Sequence, residues 1–371
     1  MKPHHLLLFI CCFTIVYPPF VRTAFSSHPC AASISDAYLD LVIVVEATAK
    51  TLVPSVIFDI VSRLENLAYR LNLSNDTKTG HTSRIALISY DNSGATVHHS
   101  LNDSQSFDAI LSALGRLRLL KWGDGFGDLV GAFKIASNVV ENTSFRAQSI
   151  LLVAASIDAT KRTEALDESK NIKLSGVQIA TVGYTEVSAD VEFIASLASP
   201  GLDIRKNELD VAHFGPKVAL LNCRCPSGTT PVTLQSASDS IELINECAMV
   251  QDTVSSPEYI VCDNDGTLFS VETEARLDFF TTLLKTDNPD IKNVTIGLKK
   301  DSTWQWQTPY GNIPYNDYPP WASPPASTDT YAHLYLENDT WKLYSNDGTD
   351  GYPYVCVQKS CDTSSVCELH N

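Results

Sequence analysis

The apolar run at residues 41–45 is the feature that most constrains the fold of this 371-residue chain. It is continuous, rich in Val and Ile, and too short for a typical helix, which predicts a strand buried on both faces, as in parallel sheets. Glu46, Thr48 and Lys50 follow it directly, and Pro54 precedes apolar residues at helical spacing. Ligands of open α/β sheets bind where strands end and helices begin. We therefore expect a site at this corner.

The N-terminus predicts a secretory signal peptide over residues 1–24. Lys2 is followed by an apolar segment at residues 6–16 and by small residues near Ala24, which is the pattern of a cleaved signal. A transmembrane anchor needs about 20 apolar residues, and neither this segment nor any later one is long enough. We therefore expect a secreted, extracellular protein with no membrane span.

Cysteines and glycosylation sequons support this location. Ten cysteines, less Cys11 and Cys12 in the signal, leave eight, and an even number in an oxidising compartment predicts disulfides. They are Cys30, Cys223, Cys225, Cys247, Cys262, Cys356, Cys361 and Cys367. Six N-x-S/T sequons predict a glycoprotein, and they begin at Asn72, Asn75, Asn102, Asn142, Asn293 and Asn338. Asn72 and Asn75 are close enough for crowding to leave only one of them glycosylated.

The net charge of −16 and the pI near 4.9 bear on the partners of the protein. An acidic surface repels phosphate backbones, so we expect no nucleic-acid partner. The simplest role of this charge is to keep the protein soluble.

Strands and helices alternate between residues 36 and 222, and this order predicts an α/β doubly wound, mostly parallel sheet. Further strands are predicted at 84–90, 150–155 and 177–182, and helices at 54–71, 107–117, 129–140, 189–198 and 211–221. No cysteine occurs between Cys30 and Cys223, which bracket this half. We predict that these two bond and close the domain at its base.

The order of elements resembles the von Willebrand factor A domain. That family holds a divalent metal (the MIDAS) with D-x-S-x-S after the first strand, a Thr before a central helix and an Asp after the fourth strand. The matching positions here are Glu46, Thr48, Lys50, Gly127 and Ala155. The resemblance therefore implies a degenerate metal site.

Lys50 decides how we interpret this corner. Mg²⁺ needs near-octahedral oxygen ligands, whereas here oxygen ligands are lost and an ammonium group enters. If Lys50 reaches Glu46, it neutralises the carboxylate that a metal needs. Our hypothesis is that an internal ion pair replaces the metal, and we expect no cofactor. The rival hypothesis is a different metal site formed by Glu46, Asp128 and Asp158.

A second domain is predicted over residues 223–360, followed by a cysteine-containing tail at 361–371. It contains the run Thr295-Ile296-Gly297-Leu298 and the element Trp304-Gln305-Trp306. These resemble the W-I-G-L and W-x-W motifs of the α+β C-type lectin-like domain, with Thr295 in place of Trp. The resemblance implies three disulfides, namely Cys262–Cys356, Cys225–Cys247 and Cys361–Cys367.

Sugar-binding members of that family hold Ca²⁺ through E-P-N or Q-P-D in a long loop and W-N-D on a late strand. Here the corresponding positions are Pro324, Pro325, Lys342 and Leu343. Ca²⁺ requires six to eight oxygens, so Ca²⁺-dependent sugar binding is not expected. The irregular loop carries aromatic residues that are equally interpreted as ligand contacts or as core packing, namely Tyr310, Tyr315, Tyr318 and Trp321.

No motif of a hydrolase or a zinc peptidase occurs, and we expect no enzyme. The sequence predicts a secreted, non-enzymatic binding protein whose partner is an unknown glycan or extracellular protein. The two domains together resemble secreted lectin-like proteins expanded in nematodes, which implies recognition or innate immunity. The alternative is an extracellular matrix or adhesion protein that acts through protein–protein contacts.

Overall fold

The computed structural model describes residues 28–51, 53–76, 81–121, 123–140, 144–210, 212–235 and 241–365. The signal peptide predicted at 1–24, the sequon at Asn142 and the half-cystine Cys367 lie outside these residues.

The first domain is built on a six-stranded sheet whose order along the sheet is β3-β2-β1-β4-β5-β6. Its strands are β1 (Leu39–Glu46), β2 (Arg84–Asp91), β3 (Gly94–His99), β4 (Ala147–Ala154), β5 (Gln178–Gly183) and β6 (Asp203–Ile204). Only β3 is antiparallel to its neighbour. Every residue of β1 is buried, as the apolar run predicts, because β1 lies between two parallel neighbours and beneath helices on both faces.

Helices cover both faces of this sheet. They are α1 (Pro54–Arg70), α2 (Phe107–Leu117), α3 (Leu129–Val139), α4 (Arg162–Leu174), α5 (Ser188–Leu197) and α6 (Phe214–Ala219). Helices α1, α2 and α6 bury apolar side chains on one face, and α3, α4 and α5 on the other. The sheet is therefore doubly wound, as predicted. The last helix is shorter than the sequence suggests, because a 3₁₀ turn follows Ala219.

The second domain is an α+β unit with a nine-stranded sheet. Its strands are β7 (Thr230–Gln235), β8 (Ile241–Ser255), β9 (Thr267–Leu268), β10 (Asn293–Lys300), β11 (Trp304–Trp306), β12 (Ile313–Pro314), β13 (Tyr331–Glu337), β14 (Thr340–Asn346) and β15 (Tyr352–Gln358). Helix α7 (Glu274–Asp287) packs Phe280 against Phe269 in the core, and Trp306 is fully buried there. Trp304 and Trp341 pack at the edge of the same core.

Three disulfides join six of the seven described cysteines, at Cys30–Cys223, Cys225–Cys247 and Cys262–Cys356. These are the pairings that the sequence and the lectin-like resemblance predict. The fourth predicted pair cannot be placed, because Cys367 lies outside the described residues.

Three chain segments form a junction between the two domains. The N-terminal segment pairs with β8, where the Asn245 N–H donates to the His28 carbonyl at 2.7 Å. The C-terminal tail crosses back, and the fully buried Asp362 carboxylate accepts from the Ala31 N–H at 2.9 Å and from the Asn245 side chain at 2.7 Å. The third segment is the linker, where Arg224 pairs with Cys361. The domains are therefore held by backbone pairing as well as by the linker.

Within the described ranges, no helix combines the length and the apolar character needed to cross a membrane.

Candidate functional site

The candidate site lies at the carboxyl edge of the first sheet, around Glu46. Strand β1 is parallel to β2 and β4, so the loops that follow all three strands meet at this edge. Glu46 ends β1 opposite Tyr90 of β2, and its side chain is buried. An ionised carboxylate without partners in such a place would be strongly destabilising. The surroundings of Glu46 must therefore supply positive charge or hydrogen-bond donors.

Four donors satisfy this carboxylate. Oε1 accepts from the Thr48 hydroxyl at 2.5 Å and from the Ser156 hydroxyl at 2.6 Å. Oε2 accepts from the Ala155 N–H at 2.7 Å and from the Ser156 N–H at 3.0 Å. These short, charge-assisted bonds use both oxygens of the carboxylate. Glu46 thus binds the loop after β4 to the end of β1 without a metal.

Lys50 does not reach this carboxylate, and the predicted ion pair is wrong. Residues 48–51 form a turn in which the Thr51 N–H donates to the Thr48 carbonyl at 3.1 Å, and this turn leaves Lys50 exposed at the surface. A buried ammonium group would pay a large desolvation cost. The Ser156 hydroxyl, which comes from the neighbouring loop, takes the place of the cation that we expected from Lys50.

Gly127 also cannot contribute a ligand. A Cβ atom at this position would lie 2.6 Å from Cε2 of Tyr90, so the Tyr90 ring fills the space that a side chain would need. The Tyr90 hydroxyl is buried and has no hydrogen-bond partner among the described residues. Burial, followed by the nearby charge of Glu46, raises the pKa of Tyr90 well above its usual value. The phenol therefore stays neutral.

The rival metal site is not assembled either. Asp128 caps helix α3 by accepting from the Gly131 N–H at 3.1 Å, and Asp158 accepts from the Thr160 N–H at 2.9 Å. Among the residues that the structure describes, no three His, Cys, Asp or Glu side chains are placed to hold a metal. Because Glu46 already accepts four hydrogen bonds and Ala155 has no side-chain oxygen, the residues present do not fit a divalent cation.

The four positions that correspond to the Ca²⁺ ligands of sugar-binding lectins do not form a common site. Lys342 pairs with Glu337 at the surface of β14, whereas Leu343 is fully buried in the core of the second domain. Pro324 is exposed and Pro325 half-buried in the loop before β13. This arrangement offers no set of oxygen ligands for Ca²⁺.

The four candidate aromatic contacts are all half-buried. Tyr310 belongs to the domain junction, where its ring stacks on His28 at 3.8 Å and its hydroxyl donates to the Asn245 carbonyl at 2.6 Å. The rings of Tyr315 and Trp321 lie 5.5 Å apart and pack on the core of the second domain. Burial raises the pKa of Tyr318. The loop therefore uses most of its aromatic surface for packing.

Sequence reasoning missed Ser156 and Tyr90 at the strand-end corner. Both follow from the rule that predicted the site, because Tyr90 lies near the end of β2 and Ser156 is the second residue after β4. It also missed the outward-facing side chains of β13, which alternate Tyr331, His333 and Tyr335 with core residues. That alternation is visible in the sequence.

Residues 40–206 match the von Willebrand factor type A domain family, so the first domain is a von Willebrand factor type A domain. The match agrees with the doubly wound sheet and with the site at its carboxyl edge. A search of the curated proteins found no match to the chain.

Several solved structures are similar to parts of the chain. Proximal thread matrix protein 1 from the mussel byssus, with zinc in its MIDAS motif, is 15% identical with a TM-score of 0.42, and the similarity covers 51% of this chain and 47% of that one. The SpRpn10 VWA domain is 14% identical with a TM-score of 0.37, covering 49% and 95%. Human lithostathine is 23% identical with a TM-score of 0.28, covering 36% and 90%. The chain thus spans about half the length of the byssus protein.

Proposed function

We propose that this chain is an extracellular matrix or adhesion protein whose von Willebrand factor type A domain binds protein partners without a metal. The observation that carries the proposal is the buried Glu46 carboxylate, which is saturated by the Thr48 and Ser156 hydroxyls and by two backbone N–H groups. A domain of this type suggests protein–protein binding or adhesion. With the carboxylate satisfied internally, contacts at the surface must use other groups.

The extracellular location is part of the proposal. Three disulfides are typical of an oxidising compartment, and the signal-like N-terminus and the sequons point to the same route. The hydrogen-bonded junction between the two domains is consistent with a structural role, because it holds together the surfaces on either side.

We also propose that the second domain is lectin-like in fold and does not recognise sugars through Ca²⁺. Leu343 lies in the core and Lys342 is engaged with Glu337, so neither supplies an oxygen ligand. A role in glycan recognition or innate immunity has correspondingly less support than the structural one. We propose no catalytic activity, because the one buried acid at the candidate site already accepts four hydrogen bonds.

The experiment is a binding assay of the full secreted chain on immobilised fibrillar collagen, laminin and fibronectin, with and without excess EDTA. We expect saturable binding to at least one of these proteins that EDTA leaves unchanged, and no heat of binding on titration with Mg²⁺, Mn²⁺, Ca²⁺ or Zn²⁺. Loss of binding in EDTA with recovery on adding Mg²⁺ would contradict the metal-free mechanism. Binding to a glycan array alone would favour recognition over adhesion.

A further inference from the structure

The sheet of the second domain has an outer face that carries aromatic side chains. Along β13, Ala332 and Leu334 point into the core, so the alternating residues Tyr331, His333 and Tyr335 point away from it. Strand β14 continues this face, because Tyr344 pairs with His333 in the antiparallel register. The face is therefore built from several strands.

Four rings on this surface contact one another, and we call them the outer aromatic face: Tyr335, Tyr344, His333 and Tyr352. The His333 ring lies 4.7 Å from Tyr352 and 5.8 Å from Tyr344, and Tyr335 lies edge-on to Tyr344 at 6.3 Å. Tyr335 is 39% exposed and ends the row. Partly exposed rings of this kind favour contact with an amphipathic group that packs its C–H groups on the rings and exposes its hydroxyls to water.

A sequon lies at the edge of the outer aromatic face. Asn293 of β10 pairs directly with Tyr335, and Thr295, which completes the sequon, pairs with His333. Side chains that face each other across an antiparallel pair have Cβ atoms about 4.5–5.5 Å apart. A sugar attached to Asn293 would therefore begin beside the Tyr335 ring.

Thr295 is not explained by the fold. Its side chain is 1% exposed, and its hydroxyl has no hydrogen-bond partner among the described residues, nor does the Oδ1 atom of Asn293. Burying an unpaired hydroxyl opposes folding, whereas a Val of the same shape would suit a buried strand. The hydroxyl is, however, required for N-glycosylation of Asn293. The Thr295 hydroxyl is thus required for glycosylation of Asn293, whereas packing of the domain does not require it.

We infer that Asn293 carries an N-linked glycan whose first sugar packs on Tyr335 and covers the outer aromatic face. The occupant of this face is a part of the glycoprotein itself and not a separate ligand. The inference uses only the extracellular location from the proposed function. It predicts that the glycan stabilises the second domain.

The test compares the full chain secreted by a glycosylating eukaryotic host with the chain from an oxidising bacterial periplasm, which adds no glycan. Glycopeptide mass spectrometry of the first should find Asn293 occupied. Its unfolding temperature should be at least about 2 °C higher than that of the bacterial chain, and trimming each glycan to one sugar should preserve the difference. In Tyr335→Ser this difference should largely disappear.

Matched variants distinguish the effect of the sugar on stability from the effect of the Thr295 hydroxyl. Thr295→Val should lower the unfolding temperature of the eukaryotic chain, because it removes the sequon, and raise that of the bacterial chain, because it removes the unpaired hydroxyl. Thr340→Val removes the sequon at Asn338, in the exposed turn between β13 and β14. It should change the unfolding temperature of each chain by less than Thr295→Val does.

Two results would overturn the inference: an unoccupied Asn293 in a protein glycosylated elsewhere, or a glycan-dependent stability that Tyr335→Ser leaves intact. Retention of the chain in the cytosol of the eukaryotic host, with every sequon empty, would overturn the extracellular part of the proposed function as well.

Discussion

At the scale of single residues, Glu46 shows that a buried carboxylate can be stabilised by hydroxyl and amide donors in place of a cation. In the sequence, Lys50, Gly127 and Ala155 stand where the von Willebrand factor type A family has metal ligands. The sequence does not predict what replaces those ligands, because the Ser156 hydroxyl is 110 residues away from Glu46 along the chain. Lys50 is the positive charge nearest to Glu46 in sequence, but it does not pair with the carboxylate, because the turn at residues 48–51 places Lys50 at the surface.

Replacement of Glu46 tests this arrangement. Glu46→Ala should lower the free energy of unfolding by about 3 kcal/mol or more, because two backbone N–H groups lose their acceptor and each buried unpaired donor costs about 1–3 kcal/mol. Glu46→Gln should cost less, since an amide oxygen still accepts. Urea unfolding measures both, and the exposed Lys50→Ala serves as the control, with a change within about 0.5 kcal/mol. Equal losses in all three variants would contradict the proposed role of the carboxylate.

The pair Tyr90 and Gly127 allows a second test. Gly127→Thr restores the family ligand and should destabilise the domain by about 1–3 kcal/mol, because the new side chain overlaps the Tyr90 ring. Tyr90→Phe removes an unpartnered hydroxyl and should leave stability unchanged or raise it by about 1 kcal/mol. Thermal unfolding of both variants checks these signs. A marked loss in Tyr90→Phe would show that the hydroxyl has a partner in solution.

At the scale of elements, apolar periodicity predicted most of the first domain. The strands β1, β2, β4 and β5 follow from short runs of branched residues, and α1 follows from apolar residues at helical spacing after Pro54. The two-residue strands β6, β9 and β12 leave no such pattern, since their pairing depends on neighbours that are distant in sequence. The outer aromatic face was predictable from the alternation along β13. The sequence-based prediction instead placed the candidate contacts in the irregular loop, at Tyr310, Tyr315, Tyr318 and Trp321.

The lowered pKa values of two histidines in β3 should make the free energy of unfolding depend on pH. Burial is the main cause that lowers the pKa of His98 and of His99, and the positive charge of Arg116 lowers both further, while Asp103 partly opposes this at His99. Below the ordinary histidine pKa of about 6.5, the unfolded chain binds protons that the folded chain does not. Stability should therefore fall as the pH decreases from 7.5 to 6.0.

Urea unfolding at these two pH values measures the effect. His99→Gln should lose less stability over the interval than the wild type, because one of the responsible side chains is gone. A variant with the same pH dependence as the wild type would assign the effect to other groups.

At the scale of the whole molecule, the junction joins the two domains through backbone pairing and a buried carboxylate. The buried Asp362 joins the tail to both the N-terminal segment and β8, and it also accepts from the Ser364 N–H at 2.8 Å. The sequence marks the boundary between the domains through the cysteines around residue 223. It does not reveal that the tail returns to the N-terminal segment of the first domain, because that contact joins residues 330 or more positions apart in the chain.

Removing this side chain should weaken the coupling between the domains. Asp362→Ala leaves the Ala31 N–H and the Asn245 amide without an acceptor, so calorimetry should resolve two unfolding transitions where the wild type shows one. Asp347→Ala is the matched control, since Asp347 caps a comparable turn through Thr349 at the surface of the second domain. A single transition in Asp362→Ala would mean that the disulfide and the backbone pairing suffice.

The disulfide between Cys30 and Cys223, which are 193 positions apart in sequence, closes a covalent ring around the first domain. Tension that enters the chain ahead of Cys30 and leaves through the second domain would pass across this bond and bypass the enclosed sheet. On the order of 600 Å of contour length, at roughly 3.3–3.6 Å per residue, would stay out of the load path until a reductant opened the ring. Stretching would thus spare the first domain in oxidising surroundings and unravel it in reducing ones.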